Sequence, residues 1–463
     1  MDSSSPRLAL SRRAFLGGSS MTLGSLALQQ LLAPPTQASP LAAPSTPKAT
    51  SVILLHMVGA PSQLDLFDFK PVLQKHDRQP APNSLFEGKR FSFLQGHPKL
   101  LGTRYAFQQH GQSGAWISEL LPHLSKHADT ISFVRSMHTT EFNHAPAQLL
   151  FHTGKNRQGQ PSLGSWVDYG LGSLNQNLPS YVVFVSGDYP GGGANLWANG
   201  YLPSTHQGVE FRSQGEPVLF LNNPRDVSTE RRRRVLDGLQ ALNQAQFAAL
   251  QDPDILARMR QYEMAFRMQS SVPSLMDLAS EPASVREMYG TGEFATQCLY
   301  ARRLVEAGVR FVELFNANWD THSSQHKSLS KLCANVDRPI SALLSDLQMR
   351  GLLDQTLVLF TGEFGRTPML QGSEHPDTCG RDHHKDAFTL WMAGGGIQPG
   401  VQYGSTDELG YSIAENPVHV RDIHGTLLHL LGIHHKNLTF RFQGLDQRLT
   451  GVEEVRILHP LLS

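Results

Sequence analysis

Cysteine is scarce in this chain: Cys298, Cys333 and Cys379 are the three in 463 residues. They lack the paired spacing of a zinc ribbon, so neither a cysteine-built metal knuckle nor a dense disulfide scaffold defines the fold. An odd number in an exported protein leaves at least one thiol free or shared. An excess of either charge is missing too, with 40 basic and 40 acidic side chains and a pI near 7.4. That balance leaves no electrostatic footprint for nucleic acid. The one basic run, Arg231-Arg232-Arg233-Arg234, falls on an expected helix after Ser228 and reads as a solvated face. Past the N-terminus no segment is apolar enough to cross a bilayer. Internal repeats and low-complexity tracts are absent after residue 50, which excludes a repeat array.

What is present begins with an address. Ser11-Arg12-Arg13-Ala14-Phe15-Leu16 resembles a twin-arginine export signal, followed by a weakly apolar stretch from Leu16 to Leu32. Thr36-Gln37-Ala38 is a small-residue cleavage site, and 39–50 is a Pro/Ala/Ser/Thr linker. Gly and Ser dilute the apolar stretch too far for a good membrane anchor. The expected organisation is a signal peptide over 1–38, a linker over 39–50 and one domain over 51–463. The expected location is periplasmic or secreted, with the twin-arginine machinery as a partner and no membrane span after cleavage. Twin-arginine export generally carries folded proteins, often already loaded with metal.

Short apolar runs predict strands at 51–58, 130–134, 181–185, 309–315, 356–361 and 387–392. Between them, helical periodicity falls at about 115–127, 144–152, 163–173, 228–270, 293–307, 334–350 and 420–431. Alternating strands and helices predict an α/β fold, a mostly parallel central sheet with helices on both faces. Residues 186–225 are rich in Gly, Pro and Asn and too long for a plain connection, so an insertion is expected there.

Ligands of parallel sheets bind outside the carboxyl ends of the strands. After the first strand stands Gly59-Ala-Pro-Ser-Gln-Leu-Asp65, with Asp68 beyond. After the second stands His138-Thr-Thr-Glu-Phe-Asn143-His144. The strand at 309–315 leads to Trp319-Asp320-Thr-His322, and the one at 356–361 to Gly362-Glu363-Phe-Gly-Arg366-Thr-Pro368. Gly380-Arg381-Asp382-His383-His384 precedes the last strand. Any one cluster has a bland reading, a capped turn or a structural histidine. All of them at one edge of one sheet predict a site.

The stretch His144-Ala-Pro-Ala-Gln-Leu-Leu-Phe-His-Thr-Gly154 has the frame of the sulfatase nucleophile motif, Cys-x-Pro-Ser-Arg-x-x-x-x-Thr-Gly. His144 stands at the nucleophile position and Gln148 at the arginine. The chain resembles the alkaline phosphatase/sulfatase superfamily over about residues 50–435. It resembles most closely an exported branch of unknown function that carries "GGPSQ-D", "WDTH", "TEFGRTP" and "GRDHW"-like signatures. Ala393-Gly-Gly-Gly-Ile397 and Val401-Gln-Tyr-Gly404 also match that branch.

The resemblance implies an alkaline phosphatase/sulfatase-like fold with a metal site. Its carboxylate after the first strand would be Asp65, with Asp68 as the fallback. Its middle pair would be Asp320 and His322, and its late histidine His383. The Asp-His pair after the next strand falls on Glu363 and Phe364, so one ligand is lost. One metal is expected, or two with His144 or His384 recruited. The implied cofactor is a divalent ion, zinc first, with manganese, iron or calcium as alternatives. His144 follows Asn143, a good N-cap, and helix N-termini attract anions. Three roles stay open for His144: metal ligand, nucleophile or general base, and polar core residue. Arg366 is either an oxyanion clamp or a structural ion pair at a turn. The implied activity is hydrolysis of an anionic phosphate or sulfate ester. The alternative is a metal-containing binding or scaffold protein that keeps the fold without the chemistry.

Overall fold

The computed structural model describes residues 46–463 except 90, 95, 220 and 376. The segment expected to be an export signal and most of the expected linker lie outside the described residues. In chain order the strands that build the site are β1 (Ser51–Met57), β2 (Ser132–His138), β3 (Tyr181–Ser186), β4 (Phe311–Asn316), β5 (Thr356–Thr361), β6 (Gly365–Gln371), β7 (Gly380–His384) and β8 (Phe388–Ala393). The main helices are α1 (His144–Thr153), α2 (Leu163–Leu171), α3 (Thr229–Leu250), α4 (Pro253–Met276), α5 (Glu293–Glu306), α6 (Gln325–Met349) and α7 (Val420–Leu430).

The central sheet runs Gln402–Tyr403, β2, β8, β5, β1, β4, β3, Val209–Glu210. β1 pairs in parallel with β4 (Val52 beside Phe311) and with β5 (Val52 beside Leu357), and β3 runs parallel to β4. β8 alone among these runs antiparallel, against both β2 and β5. β1 is buried at every position because both faces of the sheet are covered. Ile53, Leu55 and Met57 face a core shared with Leu304 of α5 and Leu343 and Leu347 of α6. Val52 and Leu54 face the opposite core, with Leu150 of α1, Trp166 of α2 and Ile423 of α7. The period-2 alternation of side chains along a strand makes this division.

One expected helix is absent. Residues 115–127 instead carry a strand, Ala115–Ser118, paired antiparallel with Phe107–His110, and one short turn of 3-10 helix, Leu124–His127. Ile117, Leu121 and Leu124 mimic helical spacing, but Gly111 and Gly114 adopt positive φ and close a hairpin just upstream. The expected helix over 228–270 is two, α3 and α4, broken at Gln251 in the left-handed region ahead of Pro253. The 186–225 segment holds two 3-10 turns, Gly193–Trp197 and Ser204–His206, and adds Val209–Glu210 to the sheet beside β3. All three cysteines are buried.

Buried histidines make the fold acid-sensitive. His424 of α7 is fully buried and its Nε2 lies 2.6 Å from the carbonyl oxygen of Phe151. Burial pushes His424 down to about 3, and His419 and His435 to about 4. The folded chain therefore stays unprotonated where the unfolded chain, with ordinary histidines near 6.5, takes up protons. The contribution of these three rings is full above about pH 6.5 and falls as pH drops toward 4, by about 1.4 kcal/mol per pH unit for each such histidine. Urea unfolding of metal-free protein at pH 7, 6, 5 and 4 should show a midpoint that declines steadily. A flat profile would mean these rings are hydrated.

Candidate metal centre

The carboxyl ends of β2 and β4 and the strand β7 bring four side chains together: His144, Asp320, His322 and His383. Each offers one ligand atom, and these atoms lie within 4.8 Å of one another. His144 opens α1. Asn143 has the extended backbone of an N-cap, and its carbonyl accepts the Ala147 N–H at 3.0 Å, but its exposed side chain makes no capping bond. Asp320 and His322 lie on the loop after β4. Gly59, at φ 109°, lets the turn after β1 press against that loop, where a Cβ would collide with the Asp320 amide nitrogen. Gly380 does the same for the backbone of His322.

Hydrogen bonds set the three rings. His144 Nδ1 lies 2.7 Å from the Glu363 carboxylate, His322 Nδ1 2.6 Å from the Gln371 amide oxygen, and His383 Nδ1 2.8 Å from the Phe142 carbonyl. Each partner can accept, so with an ion bound each Nδ1 would carry the proton and each Nε2 would offer a lone pair. This outer ring of acceptors is what orients metal-binding imidazoles. The Nε2 atoms of His144, His322 and His383 lie 3.2, 2.9 and 3.4 Å from one oxygen of Asp320. The Nε2 atoms of His322 and His383 are 2.9 Å apart. His144 Nε2 is buried without a hydrogen-bond partner. Nitrogens converging this way need a proton or a cation among them. A tetrahedral ion with ligands at 2.0–2.1 Å needs ligand–ligand edges of about 3.3 Å. The four residues fit such an ion.

The electrostatics agree. Burial opposes charge on His144, but Asp320 and Glu363 outweigh it and raise the imidazole to about 9. Burial also works against the Asp320 carboxylate, yet the three imidazoles and Arg366 hold it well below the usual carboxylate range. Glu363 is held low against its burial by His144 and His56. His383 is pushed down, chiefly by burial, and stays neutral. Two carboxylates thus demand positive charge at one point.

Glu363 stands one step behind the cluster. Its fully buried carboxylate accepts from His144, from Gln148 Nε2 at 2.9 Å and from the Gly59 N–H at 3.0 Å, with His56 Nε2 at 3.3 Å. Arg366 is fully buried and tied to protein acceptors: Ala60 O at 3.0 Å, Arg381 O at 3.3 Å, Gly59 O, and Asp320 at 2.5 Å. It is the structural ion pair rather than a free oxyanion clamp.

The structure places three expected ligands outside the cluster: Glu363, one step behind it through His144, and Asp65 and His384. Asp65 is buried in an ion pair with Arg381 at 2.8 Å and accepts from Ser62 at 2.5 Å and Gln325 at 2.7 Å. A shift in β6–β7 pairing between Arg381 and His383 lets neighbours on one strand serve two places. His384 follows the strand alternation away from the cluster, its Nε2 2.6 Å from Tyr411 O and its ring stacked on Tyr411. The fallback, Asp68, meets Lys70 at 3.0 Å and Thr406 at 2.5 Å. Phe364 lays its ring against His144 and His383, with centroids 4.9 and 4.8 Å away, so apolar surface fills the place of a further histidine.

Sequence reasoning missed the supporting residues His56, Gln371 and Asp382. His56 had a signal, a lone polar ring inside the apolar run Ser51–Met57. Asp382 accepts the backbone N–H groups of Phe93 at 2.8 Å and Leu94 at 3.0 Å. It thereby sets the Phe93 ring 4.6 Å from His322. No local pattern announces that contact. The cluster opens to solvent along Asp320, whose side chain is 41% exposed.

Among solved structures, the chain is similar to the PsFucS1 sulfatase from Pseudoalteromonas sp., at 11% identity over 88% of this chain and 73% of that one, with a TM-score of 0.36. It is similar to the lipoteichoic acid synthase LtaP from Listeria monocytogenes at 10% identity, 92% and 80% coverage and a TM-score of 0.36. It is similar to the alkaline phosphatase from the Antarctic bacterium TAB5 at 12% identity, 76% and 92% coverage and a TM-score of 0.33. Comparison with curated proteins gives no match. A family model described as "Protein of unknown function (DUF1501)" matches residues 49–462, and the chain belongs to that family.

Proposed function

We propose that this chain is an exported, metal-dependent hydrolase of phosphate or sulfate esters that uses one ion. The convergence of three imidazole Nε2 atoms on the Asp320 carboxylate carries the reading. A mixed nitrogen and oxygen set suits zinc first, then manganese or iron, whereas calcium prefers oxygen alone. A bound divalent ion would supply a Lewis acid for an ester oxygen and a lowered pKa for water. The segment framed like a sulfatase nucleophile motif enters this cluster at His144, which supports an ester substrate. Glu363 holds the His144 ring, and Arg366 fixes the Asp320 carboxylate and offsets its charge. With His144 Nδ1 bonded to Glu363 and Nε2 turned to Asp320, neither nitrogen is free to attack an ester. That favours a ligand role for His144 and water as the nucleophile. The twin-arginine-like segment supports export, and N-terminal sequencing of the exported form should begin near Ser39.

One observation favours the second reading, a non-catalytic metal-containing binding or scaffold protein. Four protein ligands close a tetrahedral zinc site, whereas catalytic sites usually keep a position open. Natively exported protein, its metal measured, should be assayed on a panel of phosphate and sulfate esters beside His144→Ala. The hydrolase reading expects turnover that falls about 100-fold or more in the variant, with lowered metal occupancy. Turnover unchanged by the substitution would remove His144 from the site. No turnover of any ester by fully loaded protein would leave the closed-site reading.

A further inference from the structure

Helix α3 is unusual in what it leaves uncovered. Of its 22 residues, from Thr229 to Leu250, Leu236 alone is buried. It packs on α4 and forms the outer layer of that helical hairpin. Val235, Leu239, Leu242 and Leu250 are 51%, 37%, 68% and 57% exposed. At about 100° per residue, Val235, Leu239, Leu242 and Ala249 fall within one narrow stripe that also holds exposed Gln246, with Gly238 and Leu250 along its edges. A Cβ at Gly238 would meet nothing within 4 Å, so the backbone there is open to close approach. The stripe lies away from the Leu236 side that packs on α4.

The ends of the stripe carry opposite charge. Arg231, Arg232 and Arg234 stand at its start, and exposed Asp252 and Asp254 stand at the hairpin tip just past its end. A helix that is apolar along its middle, basic at one end and acidic at the other is complementary to itself turned end for end. With Leu242 on a two-fold axis, Val235 meets Ala249 and Leu239 meets Ala245, large against small. Arg231 then comes opposite the turn between Asp252 and Asp254, and Arg234 faces the last turn, where carbonyl oxygens accumulate partial negative charge.

We infer that α3 is the seat of a two-fold dimer of this chain, an antiparallel helix pair centred on Leu242. The occupant of the stripe is a second copy. An anionic membrane, which a basic amphipathic helix also suits, is the poorer match. The stripe carries no aromatic anchor, and two carboxylates stand at its end. A contact along one helix buries on the order of 1,000 Å² in total, at the small end of specific interfaces, so association belongs in the micromolar range.

Sedimentation velocity on the full mature chain from 1 to 200 µM tests this. The unmodified protein should pass from monomer to dimer across that range. Leu242→Glu places two like charges on the axis and should weaken dimerisation at least tenfold. Because Leu242 is exposed, the variant should fold normally by circular dichroism. Arg231→Glu should weaken the dimer, and adding Asp254→Arg should restore most of the loss. The three natural cysteines are buried, so Leu242→Cys should give a disulfide-linked dimer on mild oxidation through residue 242 alone. A chain that stays monomeric at 200 µM overturns the inference. So does a dimer indifferent to Leu242→Glu, and so does monomeric binding to phosphatidylglycerol vesicles that Leu242→Glu abolishes.

Discussion

Asp320→Asn is expected to empty the metal centre. Three imidazole nitrogens converge on one oxygen of this carboxylate, and Arg366 approaches the same atom at 2.5 Å. The amide keeps the shape but removes the negative charge that offsets both Arg366 and any cation. Supporting residues around metal sites typically change affinity 10- to 100-fold. A central carboxylate beside a buried guanidinium should exceed that, with more than about 100-fold loss. Elemental analysis of wild type and variant after identical export and dialysis reads the result directly. Stoichiometric metal in the variant would mean that the ion, if any, sits elsewhere. Circular dichroism should be nearly unchanged, because Asp320 lies on a partly exposed loop rather than in the core.

Asp65→Asn should do the reverse. Burial works against the Asp65 carboxylate, but Arg381 and the hydroxyls of Ser62 and Thr103 hold it ionised. Arg381 is itself fully buried, with its guanidinium also donating to Leu101 O at 2.8 Å. Removing one partner of such a pair strands the other, at a cost of about 3–5 kcal/mol. Urea unfolding should show a loss of that size while metal content stays at the wild-type level. Metal loss with unchanged stability would return Asp65 to the ligand set. Together the two substitutions separate holding the ion from holding the shell.

The architecture was largely legible because it rests on patterns that local sequence carries. Val52 to Met57 is an almost uninterrupted apolar run, and only a strand covered on both faces wants one. Hairpin Phe107–Ser118 was not legible, since Ile117, Leu121 and Leu124 imitate a helix. At the site, Asp320, His322 and His383 stood out as polar residues at strand ends. Asp65 misled for a three-dimensional reason: its partner Arg381 lies two residues from His383, and a register shift sends the two to different neighbours. His144 was singled out by its motif frame, but its partnership with Glu363 depends on β5 lying near α1, which spacing alone does not encode.

The residues of the candidate centre are dispersed along the chain. His144 comes from the second strand's loop, Asp320 and His322 from the fourth's, and His383 from the seventh strand. No fragment that stops before His383 owns a complete set. Capture of an ion is therefore a readout of finished assembly. A chain stalled in synthesis, or one whose last strands have not docked, offers two or three loosely held donors instead of four converging ones. Ligand binding to the native state alone adds roughly 4 kcal/mol to stability at a thousandfold excess over Kd. That gain goes only to chains whose sheet has closed, so the ion marks the completed molecule and discriminates against the incomplete one.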